Sequence, residues 1–155
     1  MVDYIERFGY GGLFFVSAIS GFNIVVPLPV SSFFPTLMAA GFTPSMTIVV
    51  ISLGMLAGDS VGYILGRTGR SMVGDSKKEY KIIKIIKKAE KKHPLLPYGV
   101  LVLYAAFVPL PNELIVIPMG YLRFRAPLIF ISLFVSNILF NIVVASTFVG
   151  LSGII

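Results

Sequence analysis

Phe107-Val-Pro-Leu-Pro-Asn-Glu-Leu-Ile-Val-Ile-Pro-Met-Gly-Tyr-Leu122 carries three prolines and a carboxylate, Glu113, inside an otherwise apolar run. A proline removes a backbone donor and clashes with the preceding turn, so Pro109 and Pro111 do not sit inside one smooth helix. Pro118 and Gly120 loosen the run further on. In hydrocarbon, backbone that leaves the helix survives only where protein or a wet cavity covers it. A carboxylate at that depth is costly and marks a functional site by default. The stretch is expected to fold as helix, break, helix. Transporters use such discontinuous elements to hold substrate near the membrane midplane.

The motif has an echo. Val26-Pro-Leu-Pro29 returns as Val108-Pro-Leu-Pro111, 82 residues later. Both copies continue into apolar sequence with another proline (Pro35, Pro118) and a glycine (Gly41, Gly120). Paired interrupted segments of this kind point to an internal repeat with a binding site at its centre.

Composition sets the class. Of the 155 residues, 56% are hydrophobic and only 13% charged, and the mean hydropathy is +0.91. Soluble domains are roughly 45–50% apolar and about 25% charged, so long apolar runs bounded by charge define a polytopic membrane protein. The absence of cysteine excludes disulfides and thiol chemistry. Residues 1–7 balance to −1, unlike the basic start of a cleavable signal peptide. The net charge of +6 belongs to one loop: residues 67–94 hold ten Lys/Arg against three Asp/Glu. A single basic segment between membrane runs reads as a cytoplasmic loop meeting anionic lipid, not as a nucleic-acid surface.

Residues 2–20 are expected to span the membrane or lie at its interface, and we favour spanning. Residues 21–42 form the first broken element, around Pro27, Pro29 and Pro35. Ser31 and Ser32 follow the break and are placed to cap its second half-helix, whose N-terminus would favour an anion. A kinked ordinary helix is the plainer alternative. Thr43-Pro-Ser45 starts a long span. Within it Gly54, Gly58, Gly62 and Gly66 recur every fourth residue, a face that lets helix backbones approach closely. Asp59 lies beside that face, either paired with Arg67 or a hydroxyl, or joined to Glu113 in a buried polar site.

Ser76-Lys-Lys-Glu79 resembles a capping box. It opens an amphipathic helix over about 75–93, with Ile82, Ile85, Ile86 and Ala89 on one face and Lys77, Lys81, Lys84, Lys88 and Lys91 on the other. Such a helix lies in the headgroup plane or packs on its own domain. Pro94 takes His93 out of helical geometry, and no role falls to it. Residues 95–122 are the second broken element, and 126–148 a final span. There Ser132 with Ser136, and Asn137 with Asn141, line a side turned to protein or water. If residues 95–122 enter and leave from one side, Arg123 and Arg125 join the basic loop in the cytoplasm, as the positive-inside rule prefers. The expected fold is an all-α polytopic membrane domain over 1–155. It has a first repeat at about 1–66, the basic helix, and a second repeat at about 95–155. The two re-entrant hairpins enter from opposite faces, as an inverted repeat requires.

Several motifs carry a resemblance. Residues 107–122 resemble the Pro-x-Pro-Ser/Asn-Glu, apolar-Pro-x-x-Gly signature of the DedA family, also called the VTT or SNARE-associated Golgi protein family. Gly58-Asp-Ser-Val-Gly-Tyr-Ile-Leu-Gly-Arg67 is similar to its Gly-Asp-x-x-x-Tyr-x-x-Gly-Arg segment, and Gly120-Tyr-Leu-Arg-Phe-Arg-Ala-Pro127 to its Gly-x-x-Arg-x-x-Pro exit. The resemblance implies two opposed re-entrant hairpins and the movement of phospholipids or polyprenyl-phosphate carriers between leaflets, in some members driven by the proton-motive force. It implies functional roles for Glu113, Asp59 and Arg67. This chain departs from many members: Ala106 and Asn112 stand where arginines flank the second hairpin, and the first hairpin, Pro27-Leu-Pro-Val-Ser31, has no carboxylate.

The sequence therefore leads to a lipid transporter or scramblase in a prokaryotic cell membrane. Glu113 would be the proton-titratable group, with Asp59, Asn112, Ser31, Ser32, Asn137 and Asn141 as its polar surroundings. Arg67 and Arg123 would attract lipid phosphate. The alternatives are a small-ion or drug exporter, and an assembly protein whose glycine face makes a homo-oligomer. No enzyme is expected, because no nucleophile–base pair, metal cluster or phosphate-binding glycine loop is present. No cofactor or metal is called for. Membrane lipids are the expected partners, with anionic headgroups at the basic helix.

Overall fold

The structure, a computed structural model, describes residues 2–21, 30–73, 81–108 and 110–152, with side chains defined over 9–21, 30–69, 84–108 and 110–148. Pro27, Pro29, Pro109 and the box at 76–79 lie outside the described residues. Every regular element described is helical: α1 (Val2–Gly21), a 3-10 turn (Val30–Phe33), α2 (Phe34–Ala39), α3 (Pro44–Val73), α4 (Lys81–Lys92), α5 (Leu96–Phe107), α6 (Glu113–Tyr121) and α7 (Ala126–Ser152). Two helical segments, Pro44–Gly69 and Ala126–Phe148, are long and apolar enough to cross a membrane. Helix α1 is broken at Gly9, whose φ of 58 is open to glycine at little cost.

The chain divides into two compact units, Met1–Gly58 with Asn137–Ile155, and Asp59–Ser136. The boundaries cut α3 and α7, so each long helix serves both units. In the first unit Leu13, Val30, Leu37 and Ile51 form the core, with Val16, Met38, Phe42, Val50 and Met55 packed around them. In the second, Leu101, Val116, Met119, Phe124, Ile129 and Leu133 are buried. There α4 packs against α5 and α6 and buries Ile86, while Ile85 stays 62% exposed beside Lys84 and Lys88. The lysine helix thus both packs on its own unit and keeps a basic outer face.

The same local design occurs twice, in register. Helix α2 ends at Ala39 and α6 at Tyr121; α3 starts at Pro44 and α7 at Ala126. Each pair is 82 residues apart. Both short helices close in a Schellman turn: Gly41 N–H donates to Met38 and Phe42 N–H to Leu37, as Arg123 N–H donates to Gly120 and Phe124 N–H to Met119. The left-handed residues are Gly41 (φ 87) and Arg123 (φ 61). A tyrosine hydroxyl then accepts the N–H that opens each long helix, Thr43 to Tyr10 at 3.0 Å and Arg125 to Tyr98 at 3.2 Å. Each of these tyrosines meets a phenylalanine edge-on, Phe42 at 4.9 Å and Phe124 at 5.7 Å.

Arg123 is the exception in this pattern, because a left-handed residue with a Cβ costs about 1–2 kcal/mol that glycine avoids. Arg123→Gly is therefore expected to stabilise the fold by about 1 kcal/mol, read as a higher midpoint of thermal unfolding in detergent. An unchanged or lower midpoint would show that the Arg123 side chain repays its backbone strain.

Candidate functional site

In the second unit, α5 ends at Phe107 because Val108 turns extended (φ −98, ψ 119) and Pro111 supplies no N–H to continue the ladder. The Tyr104 hydroxyl donates to the Pro111 carbonyl at 3.3 Å and holds the break from the helix side. Asn112 occupies the N-cap position of α6, yet its side chain makes no capping bond. Its Nδ2 donates instead to Asp59 Oδ1 on α3, at 3.1 Å. Asp59 and Glu113 are each 1% exposed and Asn112 5%.

Glu113 is the first residue of α6. A Cβ added at Gly62, one helical turn beyond Asp59, would come within 3.2 Å of Glu113 Cγ. The glycine therefore makes room for the glutamate stem on the Asp59 side of α3. Both Glu113 carboxylate oxygens are buried without a hydrogen-bond partner. Within this unit the structure thus gathers Asp59, Asn112 and Glu113. Arg67 goes elsewhere: it is exposed and donates to the Tyr63 hydroxyl at 2.8 Å, which donates to the Phe124 carbonyl at 2.7 Å. The exposed Arg123 is likewise outside the buried cluster.

The first unit has its own polar cluster. Ser31, buried in the 3-10 turn, donates to Asn141 Oδ1 at 2.6 Å. Asn141 Nδ2 reaches Ser52 Oγ at 3.1 Å and the Asn137 carbonyl at 2.8 Å. The expectation that Ser31 and Ser32 cap a half-helix is corrected here. Phe33 holds the N-cap position of α2 with no side-chain cap bond, and Ser32 is exposed. Ser31 is drawn away because a buried asparagine oxygen needs a donor. Ser31→Ala removes that donor and is expected to cost about 1–2 kcal/mol, measured by thermal unfolding in detergent. No loss would mean that Asn141 finds another donor.

On α7, Ser132, Ser136, Asn137 and Asn141 are all buried, as the spacing predicts. The glycine face of α3 is filled within the chain. A Cβ at Gly54 would meet Ser17 and Phe14 of α1, and one at Gly58 would meet Ala18 and Gly21. Gly66 abuts the Ile117 carbonyl of α6, and Gly120 abuts the Tyr63 carbonyl. The face is thus an internal seam and is not left open for a second copy.

Sequence reasoning passed over Ser52, Tyr104 and the two capping tyrosines. A lone serine or tyrosine in an apolar helix gives no signal. The capping pair did leave one: Tyr10-Gly-Gly-Leu13 and Tyr98-Gly-Val-Leu101 share Tyr-Gly-x-Leu, 88 residues apart, and both leucines are fully buried.

Two apolar helices of spanning length and a proline-broken helix pair around buried carboxyls define a helical membrane protein. The VTT domain matches residues 26–150, and the chain belongs to that family, the DedA/SNARE-associated Golgi proteins. No curated protein and no solved structure matches it at a significant level.

Proposed function

We propose that this protein moves phospholipid or a polyprenyl-phosphate carrier between the leaflets of a prokaryotic cell membrane, without covalent chemistry. The observation that carries this reading is Glu113, 1% exposed and without a hydrogen bond on either oxygen, at the break between two apolar half-helices. A stable fold gains nothing from an uncompensated carboxyl at that depth, and such groups mark substrate or proton paths. In this reading the α5–α6 pair is a re-entrant hairpin. The element ending in α2 is its inverted counterpart, with the 82-residue register as support. Polar groups at the hairpin tips replace headgroup hydration midway, while acyl tails stay in the bilayer. Protonation of Glu113 couples to opening. Arg67, Arg123 and the exposed lysines of α4 face the cytoplasm and draw anionic headgroups to the entrance.

The test is flip-flop of fluorescent phospholipid in liposomes holding the pure protein, wild type against Glu113→Gln. Fast exchange that falls at least tenfold in the variant is expected. Equal exchange in both would remove Glu113 from the mechanism, and none above empty liposomes would sink general scrambling. Vesicles with and without anionic lipid test α4: replacing Lys84, Lys88 and Lys91 by glutamine should abolish any preference for the anionic ones. The paired acids favour a second reading, a small-cation exporter. It predicts cation flux that persists when the lipid composition is varied.

A further inference from the structure

The repeated corner carries different charge in its two copies. In the first unit it reads Gly41-Phe42-Thr43, and in the second Arg123-Phe124-Arg125, each position 82 residues on. The turn is the same in both: a left-handed residue, a phenylalanine meeting a tyrosine edge-on, and a backbone N–H given to that tyrosine's hydroxyl. The backbone therefore does not ask for arginine. At Arg123 it asks for glycine, since a side chain at φ 61 is strained. Strain of this kind collects at ligand clamps.

A third arginine joins the corner from α3. Arg67 donates to the Tyr63 hydroxyl at 2.8 Å, and Tyr63 passes its own hydrogen to the Phe124 carbonyl at 2.7 Å. These two successive bonds hold the Arg67 guanidinium beside the residue that Arg123 and Arg125 flank. Tyr63 is buried and meets Phe130 edge-on at 5.5 Å, which fixes the relay. Gly120 seats α3 on α6 at the same level: a Cβ there would lie 3.1 Å from the Arg67 backbone nitrogen. All three arginines are exposed, and none makes an ion pair with a described residue. Glu90 on α4, the exposed acid described in this unit, does not neutralise them.

We infer that Arg67, Arg123 and Arg125 form a seat for a phosphate group, with Tyr63 positioning Arg67. The seat depends on the proposed function only for the lipid that carries the phosphate; free phosphate fits by the same chemistry. Guanidinium forks match phosphate oxygens two at a time. Arg67 spends one N–H on Tyr63 and keeps the rest for a ligand. Arg125 is held at the backbone by Tyr98, which leaves its side chain free to turn to the anion. The first unit offers a glycine and a threonine at the matching positions, so only one copy of the turn attracts phosphate.

Binding of a short-chain phosphatidic acid to the full chain in neutral detergent, followed by isothermal titration calorimetry, tests this. Arg125→Gln and Arg123→Gly should each weaken it at least about tenfold, the share of one charge-assisted hydrogen bond. Arg123→Gly should do so while unfolding no earlier than the wild type, so that lost folding does not explain the loss. Arg7→Gln removes the same charge from the first unit and should bind as the wild type does. Unchanged binding in both corner variants, or an equal loss in Arg7→Gln, would overturn the seat. Should Arg123→Gly unfold early, Arg125→Gln against Arg7→Gln decides. Inorganic phosphate is then the competitor, against chloride of equal ionic strength: displacement names free phosphate as the ligand, and none leaves the lipid headgroup. A protein that moves no lipid would still bind phosphate here, and one that moves lipid while its affinity ignores these arginines would sink this inference alone.

Discussion

Gly66→Val is expected to yield no folded protein on extraction into detergent. A Cβ there would fall on the backbone carbonyl of Ile117 in α6, and no rotamer change relieves a clash with backbone. Separating α3 from α6 would expose the seam that positions Glu113, at a cost above the ~1–3 kcal/mol of ordinary overpacking. Gly69→Val is the control. Nothing lies within 4 Å of a Cβ at Gly69, so the variant should elute as the wild type does in size-exclusion chromatography. Equal elution of both variants would refute the internal seam.

The second large effect is a split at Asp59. Asp59→Ala leaves the buried Asn112 amide without its acceptor and opens space beside Glu113. A hydrogen bond to a charged group contributes about 1.5–3 kcal/mol, so unfolding should move down by roughly that amount. Asp59→Asn keeps an acceptor for Asn112 and is expected to unfold within about 1 kcal/mol of the wild type. It nevertheless removes the Asp59 carboxylate from the buried cluster, and lipid exchange should fall at least tenfold. If the two variants lose stability equally, the charge of Asp59 and not its acceptor holds the fold. If exchange survives Asp59→Asn, the pair plays no part in transport.

Much of this was legible before any coordinates. Pro111 and Glu113 locate the break because a missing N–H and a buried charge are intrinsic to those residues. The glycine spacing locates the seam because its period matches the helix. Thr43-Pro44 marks the start of α3, where α3 does begin. The destinations of polar side chains were harder. Ser31 reads as a cap until Asn141, 110 positions away, is known to need its proton. Arg67 reads as a partner for Asp59 until Tyr63, one turn nearer, takes it. Such choices are settled by which donor lies closest in space, and that distance is not written in local spacing. The buried polar residues themselves were recognisable from their cost: an acid or amide in an apolar helix demands an explanation wherever it packs.

The tyrosine caps carry one more consequence. From Thr43 to Asp59, and from Arg125 to Asn141, is sixteen residues in both long helices. One residue added inside α3 between Asp59 and Gly66 would swing that carboxyl about 100° around the axis relative to the glycines seated on α6, out of reach of Asn112. The two long helices keep this count of residues in common, although the polar groups at the repeated positions have parted into serine and asparagine in one copy and two acids in the other.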